Sequence, residues 1–192
     1  MHLFDLEKTA KELTKALTFI SKTVSDGKSV IFVGTKIQLK AIIKGVADEC
    51  GVSSVTERWL GGTFTNFETI QKRVSYFKDL QKKKETGELA KYTKKEQLDF
   101  DKEIASLKVK FDGIRNMSKL PEAVIIFGLD KDITCAREAK RKGIKIISIV
   151  DTNVNPDIVD YPIPANDDAI SSVRYILEKI KECIINSRQA TK

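Results

Sequence analysis

Apolar residues collect in short continuous runs that alternate with stretches in which they recur every three or four positions. Residues 30–33, 123–127 and 146–150 are apolar on both faces, as parallel strands covered by helices on each side are. A short strand is predicted at 54–56, and residues 161–164 predict an edge strand because two prolines there cannot donate to a ladder. The pattern predicts an α/β fold with a doubly wound (flavodoxin-like), five-stranded parallel sheet in the order 2-1-3-4-5.

Helical spacing predicts the elements that connect these strands. Helices are expected over residues 5–24, 39–50 and 133–142, and each is followed by a glycine suited to a helix end, namely Gly27, Gly51 and Gly143. A last helix carries apolar residues from Ile170 to Ile184, and Asn166 or Asp167 is expected to cap it.

Residues 65–113 follow another pattern and are predicted to be an insertion into the α/β domain, which comprises residues 1–64 and 114–192. Apolar residues keep a seven-residue period over 67–77 and again over 100–114. This period predicts two helices that bury a narrow seam against each other. The simplest arrangement is an antiparallel coiled-coil hairpin that projects about 25 Å, at 1.5 Å per residue.

The two ends of the first inserted helix carry recognisable signals. Thr65 and Glu68 fit a capping box, which predicts that the helix begins there. Three consecutive lysines at 82–84 and Gly87 are placed in the turn that joins the two helices.

Charge favours a polyanionic partner without identifying one. The 192 residues include 34 Lys and Arg against 27 Asp and Glu, which gives a net charge of +7. The insertion alone holds twelve basic and nine acidic residues, a mixture that a solvated coiled coil would also show. A compact domain has no folding reason to project an arm, so the arm is expected to contact something outside the domain. Nucleic-acid backbone suits a basic arm, and a protein partner is the alternative.

The sequence lacks the residues that several functional classes require. His2 is the only histidine, which excludes histidine-based acid–base catalysis, a Ser-His-Asp arrangement and a His-rich metal site. Cys50, Cys135 and Cys183 are far apart and odd in number, so a reducing compartment is expected. No apolar run approaches the roughly 20 residues that span a bilayer, and the first residues do not form a signal peptide. The expected location is the cytosol or the interior of an organelle, without membrane contact.

A nucleotide-binding enzyme or module is the rival hypothesis. Doubly wound sheets bind ligands at the carboxyl ends of their strands, here near Gly34 and Gly128. Neither position opens a GxGxxG or a GxxxxGK[ST] motif. Carboxylates and amides at 151–153 and 166–168 could hold a divalent cation, but strand ends and helix caps explain them equally well. No metal or other cofactor is predicted.

Five stretches together resemble one protein family over nearly the whole chain. They are "FDLEKT" from Phe4, "FVGTK" from Phe32, "ERWLGGTFTNF" from Glu57, "LP" before an apolar strand at Leu120, and "IVDTNVNPDIVDYPIPANDDAI" from Ile149. The sequence resembles bacterial-type small-subunit ribosomal protein S two. Members usually begin about thirty residues earlier, so the contacts made by that segment are not expected from this sequence.

The resemblance implies a structural protein of the small ribosomal subunit that functions in translation and has no enzymatic activity. The implied partners are small-subunit rRNA and neighbouring ribosomal proteins, including the large mRNA-binding ribosomal protein S one where an organism has it. The implied location is the cytoplasmic ribosome, with an organellar ribosome as the alternative.

Basic residues on the arm and at its base are the candidate rRNA contacts. They are Lys36, Arg58, Lys72, Arg73, Lys82, Lys83, Lys84, Lys94, Lys95 and Arg115.

A structural junction is predicted at the base of the arm. Gly61 and Gly62 allow a sharp bend, and Thr65 begins the first inserted helix. Trp59, the only tryptophan, is expected to pack across the junction as a strut, because one isolated aromatic is a poor platform for stacking bases.

Overall fold

Five parallel strands form one sheet in the computed structural model, which describes residues 4–190. They are β1 (Val30–Val33), β2 (Ser53–Val55), β3 (Ala123–Ile126), β4 (Lys145–Val150) and β5 (Tyr161–Pro164). Their order is β2-β1-β3-β4-β5, which confirms the predicted α/β class and strand order. β2 and β4 each begin one residue before the predicted position. His2 lies outside the described residues.

Six α-helices precede, connect or follow the strands. They are α1 (Leu6–Ser25), α2 (Lys40–Cys50), α3 (Phe67–Glu85), α4 (Lys94–Phe111), α5 (Ile133–Lys142) and α6 (Ile170–Ala190). Asp5 caps α1 by accepting hydrogen bonds from the backbone N–H groups of Glu7 and Lys8. Between residues 4 and 190, no helix is both long and apolar enough to cross a membrane.

The two faces of the sheet bury separate apolar clusters. Val30 and Phe32 of β1 point into one cluster, which α1, α2 and α6 cover. Ile31 and Val33 point to the opposite face, which α5 covers. This second cluster continues through Trp59 into α3 and α4, so the apolar seam between these two helices joins the core on this face of the sheet.

α3 and α4 pack against each other in opposite directions. Near the domain, the Gln71 side-chain amide donates to the carbonyl oxygen of Met117. Toward the other end, Lys84 Nζ lies 2.8 Å from a carboxylate oxygen of Asp101. Buried side chains with the predicted seven-residue spacing fill the seam, including Val74 and Phe77 on α3, and Ile104 and Phe111 on α4.

The predicted turn between the two inserted helices was right at Gly87 and wrong at the three lysines. The lysines at 82–84 lie in the last turn of α3, and the chain turns at Gly87, whose φ is 75°. Lysine is a good helix former and its charge is favourable at a helix C-terminus, so the helix continues through all three. A 3-10 turn (Glu88–Lys91) then leads to α4, which Thr93 and Glu96 begin with a capping box.

The predicted cap of α6 was also displaced. The Asn166 side-chain oxygen accepts from the backbone N–H groups of Asp168 and Ala169, ahead of the first residue of the helix. Asp167 instead lies buried beside Lys36.

Candidate nucleic-acid interface

Trp59 lies at the base of the arm formed by α3 and α4 and is only 8% exposed. Its ring meets that of Phe64 edge to face, with 4.7 Å between the ring centroids. Its indole Nε1 donates a hydrogen bond of 3.2 Å to the Glu138 carboxylate on α5. The side chain is therefore packed between the junction and the domain, as a strut would be, and its ring is not available for stacking on a base.

Glu138 accepts hydrogen bonds from the whole segment that enters the arm. Besides the indole of Trp59, the donors are the backbone N–H groups of Gly62 at 2.8 Å, Phe64 at 3.0 Å and Thr65 at 3.2 Å, and the Thr65 hydroxyl at 3.2 Å. Burial alone would raise the pKa of Glu138, but these hydrogen bonds outweigh it and hold the pKa below its ordinary value. The group is therefore a carboxylate at neutral pH.

The two glycines of the junction, Gly61 and Gly62, differ in backbone conformation. Gly62 has a φ of +93°, which other residues rarely adopt, whereas the φ of Gly61 is not positive. The sharp bend predicted for the glycine pair therefore lies at Gly62.

The capping box predicted at Thr65 and Glu68 was wrong. α3 begins at Phe67, where the Asn66 side chain accepts from the Thr69 hydroxyl and from no backbone N–H of the helix, and the Thr65 hydroxyl donates to Glu138. Glu138 accepts from both the backbone N–H and the hydroxyl of Thr65, so this tertiary contact takes the place of the local one.

Nine of the ten predicted rRNA contacts are exposed, and they fall into two groups at the base and the tip of the arm. The base group holds Arg58, Lys72, Arg73 and Arg115, and the tip group holds Lys82, Lys83, Lys84, Lys94 and Lys95. Along α3, eleven residues separate Lys72 from Lys83, which is about 16 Å at 1.5 Å per residue. Lys84 is the one tip lysine with an ion pair among the described residues, and both partners are half exposed, so the pair holds it weakly.

Lys36 is the exception, because the structure buries it at the carboxyl edge of the sheet. Its side chain is 7% exposed, and its Nζ lies 2.8 Å from oxygens of Asp167 and Asp168 and 3.6 Å from an oxygen of Asp130. Burial lowers the pKa of Lys36, but the hydrogen bonds to Asp167 and Asp168 outweigh it and hold the pKa above its ordinary value. An ammonium with three carboxylate partners is not free for phosphate, so Lys36 is removed from the candidate rRNA contacts.

The same cluster argues against the nucleotide-binding hypothesis. Beside it, Asp132 accepts from the backbone N–H and the hydroxyl of Thr35, and burial raises the pKa of Asp132 although these bonds oppose it. The space above Gly128 is filled by the Lys36 stem, since an ideal Cβ there would lie 3.1 Å from Lys36 Cε. An edge lined by carboxylates repels phosphate, and the glycines serve close packing.

The family profile described as ribosomal protein S2 matches residues 1–187. The chain belongs to the ribosomal protein S2 family. This match confirms the resemblance. The chain is therefore a structural protein located on the ribosome and not an enzyme.

Individual relatives of the ribosomal protein S2 family match over nearly the full chain. Small ribosomal subunit protein uS2c of Guillardia theta is 45% identical over 184 residues, which cover 96% of this chain and 78% of the relative. Small ribosomal subunit protein uS2 of Roseiflexus sp. (strain RS-1) is 45% identical over 188 residues, which cover 98% of this chain and 72% of the relative. The uS2 of Endomicrobium trichonymphae is 43% identical, with 98% and 77% covered.

Glu138 is the residue of the junction that sequence reasoning missed. It lies on the buried face of α5, between Cys135 and Ala139, which are both fully buried. A glutamate on an otherwise apolar helix face was the available signal, because such a charge is buried only when hydrogen bonds or ion pairs satisfy it.

Proposed function

We propose that this member of the ribosomal protein S2 family binds the phosphate backbone of small-subunit rRNA through the base and tip groups of its arm. The observation that supports the proposal is the arrangement of nine exposed basic side chains at two levels of the helical pair. Contacts of this kind position a protein on RNA and carry no base specificity.

In this proposal, residues 65–113 form the arm, and residues 1–64 and 114–192 form the α/β domain that carries it. The seam between α3 and α4 is apolar, whereas their outer faces are exposed and mostly polar. The domain supplies the rigid support, and the arm supplies the reach.

Neighbouring ribosomal proteins are proposed as further partners, including the mRNA-binding protein S one where an organism has it. Family membership supports this part of the proposal. On the arm, Leu98 and Val109 are 55% and 60% exposed and share one face of α4, which suits a protein contact better than a phosphate.

The experiment compares two sets of four substitutions in the full chain. Lys82, Lys83, Lys94 and Lys95 are changed together to Gln at the tip, and Lys8, Lys11, Lys15 and Lys22 on α1 are changed in the matched control. Binding to small subunits that lack this protein is measured by sedimentation between low and high salt.

Both variants lose the same charge, so a general electrostatic effect would weaken both equally. The tip variant is expected to bind more weakly, and the slope of log affinity against log salt should fall by about 0.7 to 0.9 for each phosphate that a lysine no longer neutralises. Equal binding by the tip variant and the α1 variant would refute the tip as a phosphate-binding surface.

A further inference from the structure

We infer that Glu138 is the positioning residue that fixes the direction of the arm relative to the α/β domain. The inference rests on the proposed function, since the arm must point correctly to bring its lysines to RNA. Glu138 itself is buried on α5 and is not one of the candidate RNA contacts.

The carboxylate holds the chain at the point where it leaves the domain. Its five donors belong to Trp59, Gly62, Phe64 and Thr65, all within seven residues of the chain. Three of the donors are backbone N–H groups, so the orientations of three peptide planes are fixed by one side chain. α3 begins only two residues later, at Phe67.

A small change at this point has a large effect at the tip. Lys83 lies sixteen residues beyond Phe67, or about 24 Å along α3, so a tilt of about 10° at the base displaces it by about 4 Å. A displacement of that size exceeds the length of a charge-assisted hydrogen bond, about 2.8 Å, and would separate a lysine from its phosphate.

The returning chain does not replace this attachment. After α4, a 3-10 turn (Asp112–Ile114) packs closely on β2, and Gln71 binds Met117 nearby. These contacts keep the arm joined to the domain when Glu138 is changed. Loss of the carboxylate is therefore expected to tilt the arm and not to release it.

Glu138→Gln is the central variant, because glutamine keeps the size but presents an NH₂ group toward N–H donors. Backbone amides of Gly62, Phe64 and Thr65 should exchange at least about tenfold faster with solvent, since their acceptor is weakened. The indole N–H resonance of Trp59 should shift, and affinity for small subunits should fall by about fivefold or more.

Two further variants keep the test decisive if glutamine prevents folding. Glu138→Asp retains the charge on a shorter side chain. Relative to Glu138→Gln, it should bring the Trp59 indole resonance part of the way back to its parent position and recover part of the affinity. Thr65→Val removes only the hydroxyl donor and should weaken binding in the same direction, by less.

Val46→Ala is the control for stability alone, because Val46 lies in the cluster on the opposite face of the sheet. It should lower the melting temperature while leaving the junction amides and subunit binding unchanged. If Glu138→Gln binds subunits as well as Val46→Ala does while the tip-lysine variant binds weakly, or if the junction amides of Glu138→Gln keep their protection, the positioning role is overturned.

The proposed function fails in a distinguishable way. Unchanged binding by the tip-lysine variant, together with faster exchange of the junction amides in Glu138→Gln, would overturn phosphate binding at the tip. The control of arm direction by Glu138 would stand in that case, because amide exchange reports it without RNA.

Discussion

Replacing Gly113 by alanine should destabilise the fold where the arm returns to the domain. An ideal Cβ at this position would lie 1.8 Å from the carbonyl oxygen of Ser54 and 2.9 Å from its carbonyl carbon. Both atoms belong to the backbone of β2, whose register with β1 is fixed by the sheet. The 3-10 turn at Gly113 must therefore move away, and Ile114, which is 2% exposed, must move with it.

The magnitude follows from this geometry. Overpacking typically costs about 1 to 3 kcal/mol, and a clash with a strand backbone belongs at the upper end of that range. A cost of about 3 kcal/mol lowers the melting temperature of a chain of this size by about 6 to 12 °C. The φ of Gly113 is not positive, so the loss would come from the clash and not from backbone strain.

Gly45→Ala is the matched control within the same domain. Gly45 lies inside α2, and nothing lies within 4 Å of its added Cβ, so alanine should stabilise the protein by about 0.5 to 1 kcal/mol. Thermal melting followed by circular dichroism, and urea unfolding, measure both variants. If Gly113→Ala melts within about 2 °C of the parent protein while Gly45→Ala is stabilised, the close approach of Gly113 to β2 is refuted.

Two further substitutions test the junction and the buried ion pairs. Gly62→Val should cost about 1 to 3 kcal/mol in urea unfolding and Gly62→Ala less, because φ is +93° and the β-branched side chain adds strain; equal, negligible losses would place the bend elsewhere. Lys36→Met should cost about 3 kcal/mol at neutral pH, since it leaves the buried Asp167 without a counter-ion. Burial already raises the pKa of Asp167 above its ordinary value, and the loss of Lys36 raises this pKa further. Because the folded Lys36→Met protein then favours a protonated Asp167, its stability falls as pH rises through that pKa. The deficit of Lys36→Met relative to the parent should therefore narrow as pH falls, and a deficit that widened on acidification would contradict a charged Asp167.

The sheet could be predicted from the sequence because its signals are local. Strands such as Val30–Val33 and Ala123–Ile126 are buried on both faces, so they read as continuous apolar runs. Helix ends at Gly51 and Gly143 could be placed because both glycines adopt the left-handed conformation that favours glycine.

The polar contacts of the site could not be predicted, because they join residues far apart in the chain. Lys36 follows a strand and reads as a surface charge, and only the fold brings Asp167 and Asp168 to it. Thr65 had a local partner in Glu68. The apolar face around Glu138 indicates that this charge needs partners, but it does not show that Thr65, 73 residues away, is one of them. The local pattern predicts where helices and strands lie. Which acceptor a hydrogen-bond donor uses depends on the distant residues that the fold buries beside it.

The packing of α1 against α6 has a consequence for the order in which the protein folds during its synthesis. α1 and α6 lie side by side, with the Cys183 thiol against the carbonyl oxygen of Leu17, and a hydrogen bond between Ser187 and Ser21. α3 and α4 are complete once residue 111 has left the translating ribosome, and their seam can close at that stage. α1 also packs on the sheet, but the part of its apolar face that contacts α6 stays exposed to chaperones and proteases until residues 170–190 have left the ribosome. Chains that terminate early should therefore be degraded before they can enter a new ribosome.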